Sequence, residues 1–214
     1  RVREAFVEFG EGRVQMPAKD YLLFEQANGD LRTMSAYVEK FGLATVKLVN
    51  SHPDNPTKHG LPTVMALLGA FDPDTGRPIA LMDATELTRL RTAAASALAT
   101  GQFTPESAEH LGVIGAGAQA PTQIEGQLLT RDFSRVRVYD INKEQSKSLV
   151  DTLNESHPAV EFEVSDSLEP LIEHSEVIVS LTPGTKPLVE SVESTSLLHV
   201  NAIGADGPGK QEWP

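Results

Sequence analysis

The sequence predicts an α/β protein: a parallel, doubly wound sheet fills the C-terminal half, preceded by an N-terminal α+β domain. Three observations carry this reading. First, the apolar runs LGVIG (Leu111 to Gly115), VRVYD (Val136 to Asp140), EFEV (Glu161 to Val164), EVIVSLT (Glu176 to Thr182) and LLHVNAIG (Leu197 to Gly204) are separated by helix-length segments. That rhythm belongs to βα repeats around a parallel sheet. Second, a glycine-rich turn follows the first of these runs directly. Third, residues ahead of it show strand, turn and strand without the alternation.

Taken in order, the chain opens on RVREAFVEFGEG, where Val2, Phe6 and Phe9 fall at helical spacing and predict an amphipathic helix. Ala44 to Asn50 (ATVKLVN) is β-rich. Thr63 to Phe71 and Pro78 to Met82 flank the turn Asp72-Pro73-Asp74-Thr75-Gly76, a hairpin signal. Ala84 to Thr100 (ATELTRLRTAAASALAT) reads as a helix with Asp83 or Thr85 as N-cap and Gly101 as its stop. Its alanines and serines make it thin enough to pack closely against a sheet or a ligand. GQFTPE (Gly101 to Glu106) then reads as the crossing between a domain of residues 1–100 and one of residues 101–214.

Composition narrows the function. Eighteen Lys plus Arg against 30 Asp plus Glu give a formal charge of −12, which repels nucleic-acid backbones and anionic membranes. Such a surplus fits a soluble surface and also adaptation to high salt. Without Cys there are no disulfides, thiolate metal sites or Cys nucleophile. The six His, at 52, 59, 110, 157, 174 and 199, show no ligand-like spacing, and no metal is expected. No apolar run approaches the ~18 residues of a membrane span and the first residues are no signal peptide, so a cytoplasmic location is expected. The ends read as cut: the chain starts inside a helix pattern and stops after a strand and a Gly-rich loop.

Gly115-Ala116-Gly117-Ala118-Gln119-Ala120 fits G-x-G-x-x-A, placed between a buried strand and a helix predicted from about Pro121 to Leu129. Gly115 permits the tight turn, Gly117 lets backbone approach a pyrophosphate, and Ala120 lets the helix pack close. The helix start offers N–H donors to the anion. Asp140 ends the next strand, where an acid binds the adenosine ribose 2′-OH and repels a 2′-phosphate. The expected fold is therefore Rossmann-like and the expected cofactor NAD, with Ala118, Gln119 and Thr182 (of Thr182-Pro183-Gly184, at the sheet's carboxyl edge) as further contacts.

Val46 to Ala99 (VKLVNSHPDNPTKHGLPTVMALLGAFDPDTGRPIALMDATELTRLRTAAASALA), GAGAQA and the late loop GADGPGKQE (Gly204 to Glu212) together resemble the ornithine cyclodeaminase/mu-crystallin family, in family order and from about Val14 to Glu212. The resemblance implies a homodimer, an N-terminal substrate and dimerisation domain, and a Rossmann-like NAD domain, with the start of the first helix and a closing C-terminal segment missing. Matched motif by motif, Lys47 of VKLVN, Thr63 of LPT and Arg91 of LRTAA correspond to substrate or cofactor contacts, Lys47 also to a catalytic one, and Asp206 to the catalytic carboxylate. Chemistry agrees. Arg91 can grip a carboxylate bidentately, and Lys47, a charge inside an apolar strand, must be paired or functional. Arg32 in GDLRTMSAY and Lys19 in MPAKDYL resemble cationic positions of the alanine dehydrogenase branch, whereas Ser35 stands where the M-P-A-Y pattern has Pro.

The implied chemistry is oxidation of a small L-amino acid at Cα to an imine, with Asp206 as base. Water attack gives a 2-oxo acid and ammonia, as in an alanine dehydrogenase. Attack by a side-chain amine gives a ring, as in ornithine cyclodeaminase. Two rivals remain: a mu-crystallin-like protein that binds NAD(P)H and a small ligand or reduces ketimines, and a 2-hydroxy acid dehydrogenase. The latter needs a catalytic His, and His199, inside an apolar strand, reads instead as a core histidine.

Overall fold

Two kinds of strand occur in the chain, and their burial explains the two sheets. The computed structural model describes residues 1–192 and 199–214, which divide into two units, 1–91 and 92–214. The division falls inside the helix α3 (Thr85–Phe103), ahead of the 100/101 boundary suggested by Gly101. Gly101 does not stop that helix, which runs on to Phe103.

The first unit begins with helix α1 (Val2–Gly10) and strand β1 (Val14–Gln15). Its apolar residues do not form a buried face: Phe6 and Phe9 are more than half exposed, and the buried side chain is Glu8, held by Arg13 and Lys40. The antiparallel strands β2 (Asp20–Phe24), β3 (Gly29–Val38), β4 (Leu43–Ser51), β5 (Val64–Phe71) and β6 (Pro78–Asp83) follow. In the six-stranded sheet the order is β1-β3-β4-β5-β6, with β2 also on β3. A short helix α2 (Asn55–Lys58) lies between β4 and β5. The predicted hairpin forms at β5–β6: Asp72 Oδ1 accepts the N–H groups of Asp74 and Thr75, and Gly76 takes φ +71. Helix α3 starts as expected, its Thr85 N–H donating to Asp83 Oδ1 at 3.0 Å.

The alternation of side chains fixes what each sheet face carries. Register pairs Arg32 with Val49 and Met34 with Lys47, so these four share a face with Ala66 and Leu68. A small core of Val49, Ala66 and Ala84 forms there. Leu22, Leu48, Leu67 and Leu81 share the other face and are 61%, 37%, 47% and 76% exposed.

In the second unit, strands β7 (His110–Ile114), β8 (Arg135–Tyr139), β9 (Glu161–Val164), β10 (Val177–Ser180) and β11 (His199–Ala202) form an all-parallel sheet in the order β11-β10-β7-β8-β9. Helices α4 (Ala120–Leu128), α5 (Lys143–Ser156) and α6 (Leu168–Glu173) connect them. All four residues of β10 are buried, as are Leu111, Val113, Ile114, Val136 and Val138, because helices cover a parallel sheet on both faces. Each such side chain contributes roughly 1.5–3 kcal/mol by leaving water. The five predicted strands are all present; of the fifth run, Leu197 and Leu198 lie outside the described residues. His199 is half-buried on β11, its Nε2 3.2 Å from Asn201 Oδ1 and its ring 5.9 Å from that of Phe103.

Candidate functional site

Strand order places the first candidate site. The chain runs from β7 outward through β8 and β9, then returns to β10 on the other side of β7. Loops leaving the carboxyl ends of β7 and β10 therefore diverge, the switch point where ligands sit in open α/β sheets. The glycine-rich turn occupies that position. Gly115 has φ +103, and a Cβ there would lie 3.2 Å from Leu181 Cβ, so both conformation and neighbour require glycine.

Gly117 is different: a Cβ on it would meet no atom within 4 Å. Nothing in the protein demands glycine there, so the space above the turn is what the missing side chain leaves open. Beside it, Gln119 Oε1 is buried without a hydrogen-bond partner. Ala118 is exposed, and Ala120 is fully buried at the start of α4, where Pro121 has no N–H and the N–H groups of Ala120 and Gln123 already donate to Gly117 O and Gln119 O, so the helix start offers fewer donors than its position predicts. The open backbone at Gly117 fits the expected dinucleotide, and the orphaned Gln119 acceptor fits a hydroxyl of its riboses rather than its phosphates. Asp140 is fixed by two peptide groups: Ala116 N–H donates to Oδ2 at 2.7 Å and Asn142 N–H to Oδ1 at 2.8 Å.

Thr182 follows β10. Its N–H and hydroxyl both donate to Glu212 Oε1, at 2.7 and 2.8 Å. Asp206 is exposed in the loop after β11, with Oδ1 2.7 Å from Lys210 Nζ.

The first unit holds the second candidate site. Lys47 is 9% exposed on β4, and its ammonium donates to Thr88 Oγ1 on α3 at 3.4 Å. Burial pushes its pKa down from 10.5 to about 8, and the positive charges of Arg91, Arg32 and Lys19 add to the effect. The three other predicted cations, Arg91, Arg32 and Lys19, thus all act on Lys47. Arg32, also buried, is gripped by Asp30 through Nε–Oδ1 at 2.8 Å and Nη2–Oδ2 at 3.0 Å, and its guanidinium lies 5.6 Å from the Tyr21 ring centre. Lys19 Nζ lies 5.9 Å from the same ring. Thr63 immediately precedes β5, where its carbonyl accepts from His52 N–H at 2.8 Å. Among the described residues no group of three His, Asp or Glu is arranged to hold a metal.

Sequence reading missed Asp30, Tyr21 and Glu212. Asp30 could have been found, since residues two apart on a strand share a face and Asp-x-Arg makes a natural pair. Tyr21 needed the β2–β3 register and Glu212 the packing of the C-terminal loop.

Known proteins resemble the chain along its length. The sequence profile of the ornithine cyclodeaminase/mu-crystallin family matches residues 1–213. The alanine dehydrogenase of Archaeoglobus fulgidus is 44% identical over 213 residues, covering 99% of this chain and 63% of that protein. An L-lysine cyclodeaminase of Streptomyces rapamycinicus is 33% identical over 172 residues, 79% of this chain and 50% of that one. An archaeal alanine dehydrogenase dimer, solved with bound NAD, superposes with a TM-score of 0.90 at 42% identity, over the whole of this chain and 64% of that one. The chain thus spans less than two thirds of the length of the relatives it matches.

Proposed function

Because this chain belongs to the ornithine cyclodeaminase/mu-crystallin family, we propose that its protein is an NAD-dependent oxidoreductase acting at Cα of a small L-amino acid. One observation carries the substrate class: the ammonium of Lys47 is buried where Arg91, Arg32 and Lys19 all raise the positive potential. A carboxylate is the ligand that such a site stabilises most. The identity of 44% to an alanine dehydrogenase and the cation at Arg32 support simple deamination as the outcome.

In this reading Arg91 and Lys47 hold the substrate carboxylate, Arg32 and Lys19 set the local charge, and the Asp30 clamp keeps Arg32 in place. Gly115, Gly117 and Ala118 hold the pyrophosphate, Gln119 a ribose hydroxyl, Asp140 the adenosine ribose, and Thr63 and Thr182 further cofactor contacts. Bound NAD supplies a hydride acceptor, so loss of hydride from Cα leaves an imine. Asp206 accepts the proton released from the substrate nitrogen. Water adding to the imine then yields a 2-oxo acid and ammonia.

A homodimer completes the proposal. Leu22, Leu48, Leu67 and Leu81 give one sheet face of the first unit an apolar surface that a second copy would cover; sedimentation of a monomer at micromolar concentration would count against it.

Incubating the intact protein with NAD and a panel of L-amino acids tests the reaction, following NADH absorbance and ammonia together. Alanine should yield both, and Asp206→Asn should lower kcat by about 100-fold, as loss of a general base does. Ammonia from ornithine without net NADH would assign cyclisation instead, and silence across the panel would leave only ligand binding.

A further inference from the structure

The carboxylate of Glu212, the last residue of GADGPGKQE and one to which the motif assigns no role, accepts four hydrogen bonds. It is 1% exposed. Oε1 accepts from Thr182 N–H at 2.7 Å and from the Thr182 hydroxyl at 2.8 Å. Oε2 accepts from Gly204 N–H at 2.8 Å and from the Ser180 hydroxyl at 2.9 Å. One side chain therefore ties together the loop leaving β10 and the loop leaving β11. Its own segment is stitched to the first loop by Leu188 N–H on Glu212 O, 2.7 Å, and Gln211 N–H on Gly184 O, 3.1 Å. Trp213 Nε1–H adds a bond to Ser180 Oγ at 2.9 Å.

The four donors are not equivalent. Hydroxyls can turn to other partners, but peptide N–H groups cannot, and each carboxylate oxygen faces one of them. An amide in place of the carboxylate would point its NH2 at a peptide N–H whichever way it was flipped. Gly204 belongs to the same fit: a Cβ there would collide with the carbonyl oxygen of Thr182 and come within 2.6 Å of the Glu212 carboxyl carbon. The two loops approach so closely that only glycine leaves room for the carboxylate between them.

We propose that Glu212 is a positioning residue, holding the Asp206 loop against the carboxyl edge of the parallel sheet and fixing Thr182 in the same grip. This deepens the proposed function, since the loop it seats carries the general base. The effect of Glu212 on the reaction runs through Asp206; the Thr182 it also holds is one cofactor contact among several.

Two variants of the intact protein test this by different routes: Glu212→Gln turns one of the two acceptor oxygens into a donor, and Gly204→Ala keeps both but wedges the loops apart. Hydrogen–deuterium exchange should quicken about tenfold or more in peptides spanning residues 199–212 and leave α5 unchanged. With L-alanine, kcat should fall at least about tenfold while KM, and Kd for NADH, change less than about threefold. Should Glu212→Gln not fold, Ser180→Ala, which deletes one donor of four, should show the same pattern to a smaller degree. Unchanged exchange overturns the clamp whatever the activity. Faster exchange with unchanged kcat overturns the positioning role, as does a loss of NADH affinity equal to the loss of kcat. A wild-type protein inert towards every amino acid would instead sink the functional reading, and exchange would still decide the clamp.

Discussion

In the proposed function, the glycine turn after β7 and the cation cluster around Lys47 are two ways of making an anion site. In the turn, recognition resides in the backbone, and side chains matter by being absent: a Cβ at Gly117 would stand in open space. In the cluster, recognition resides in charges brought from β3, β4, α3 and the residue ahead of β2, paid for by burying a lysine whose neighbours repel it. A backbone site is written in consecutive residues, whereas a side-chain site is written in register. The first withstands changes in charge but not in volume; the second should behave the opposite way.

The largest effect should come from the cluster. Arg91→Ala should reduce kcat/KM for the amino acid by about 100- to 1,000-fold, about 3–4 kcal/mol of lost binding, mostly as KM. Kd for NADH, read by fluorescence titration, should stay the same. Weakened NADH binding of equal size would erase the contrast between the two sites.

Next comes the turn. Gly117→Ala adds one methyl group where no protein atom meets it, so the melting temperature should move by less than about 2 °C. Affinity for NADH should nevertheless drop about 10- to 100-fold because the pyrophosphate loses its approach. A large loss of stability with unchanged affinity would mean that the turn is structural.

The smallest effect is a pH dependence. Lys47 carries its proton below about pH 8 and sheds it above, so the Kd of a non-titrating carboxylate such as pyruvate should be flat below that value. It should then rise about tenfold per unit above it, and Lys47→Met should remove the slope. Stability moves the other way. The unfolded chain keeps this proton up to about 10.5, so the lysine's unfavourable contribution is constant below about 8 and relieved between about 8 and 10.5.

These differences also explain what could be read from the sequence. The five parallel strands stood out because a sheet covered on both sides buries every residue of Val177–Ser180 and makes the first three of them apolar, and the turn stood out because its residues are adjacent. Strands β2 and β3 did not, since Asp30, Arg32 and Ser35 interrupt their pattern, and the first two of these lie on the site face. Lys47 and Arg91 were named singly, but that they act on one another depends on the strand pairing and on α3. Helix α1 forms where the spacing placed it, but amphipathic spacing says which side is apolar, not whether anything covers it: Phe6 and Phe9 stay exposed while Glu8 is buried. The end of α3 was placed at Gly101 because glycine usually stops helices, but a single glycine costs only about 1 kcal/mol and tertiary packing overrides it.

Asp140 has an evolutionary consequence. The residue that is to discriminate between the two nicotinamide coenzymes also staples Ala116 and Asn142 together through both of its oxygens. A lineage drifting towards the phosphorylated coenzyme would have to give up that staple in the same mutational step that removes the repulsion. Under the proposed role of Asp140, coenzyme preference would be entrenched: a successful switch would need a compensating change in the turn, and single replacements at this position would be a poor starting point for re-engineering it.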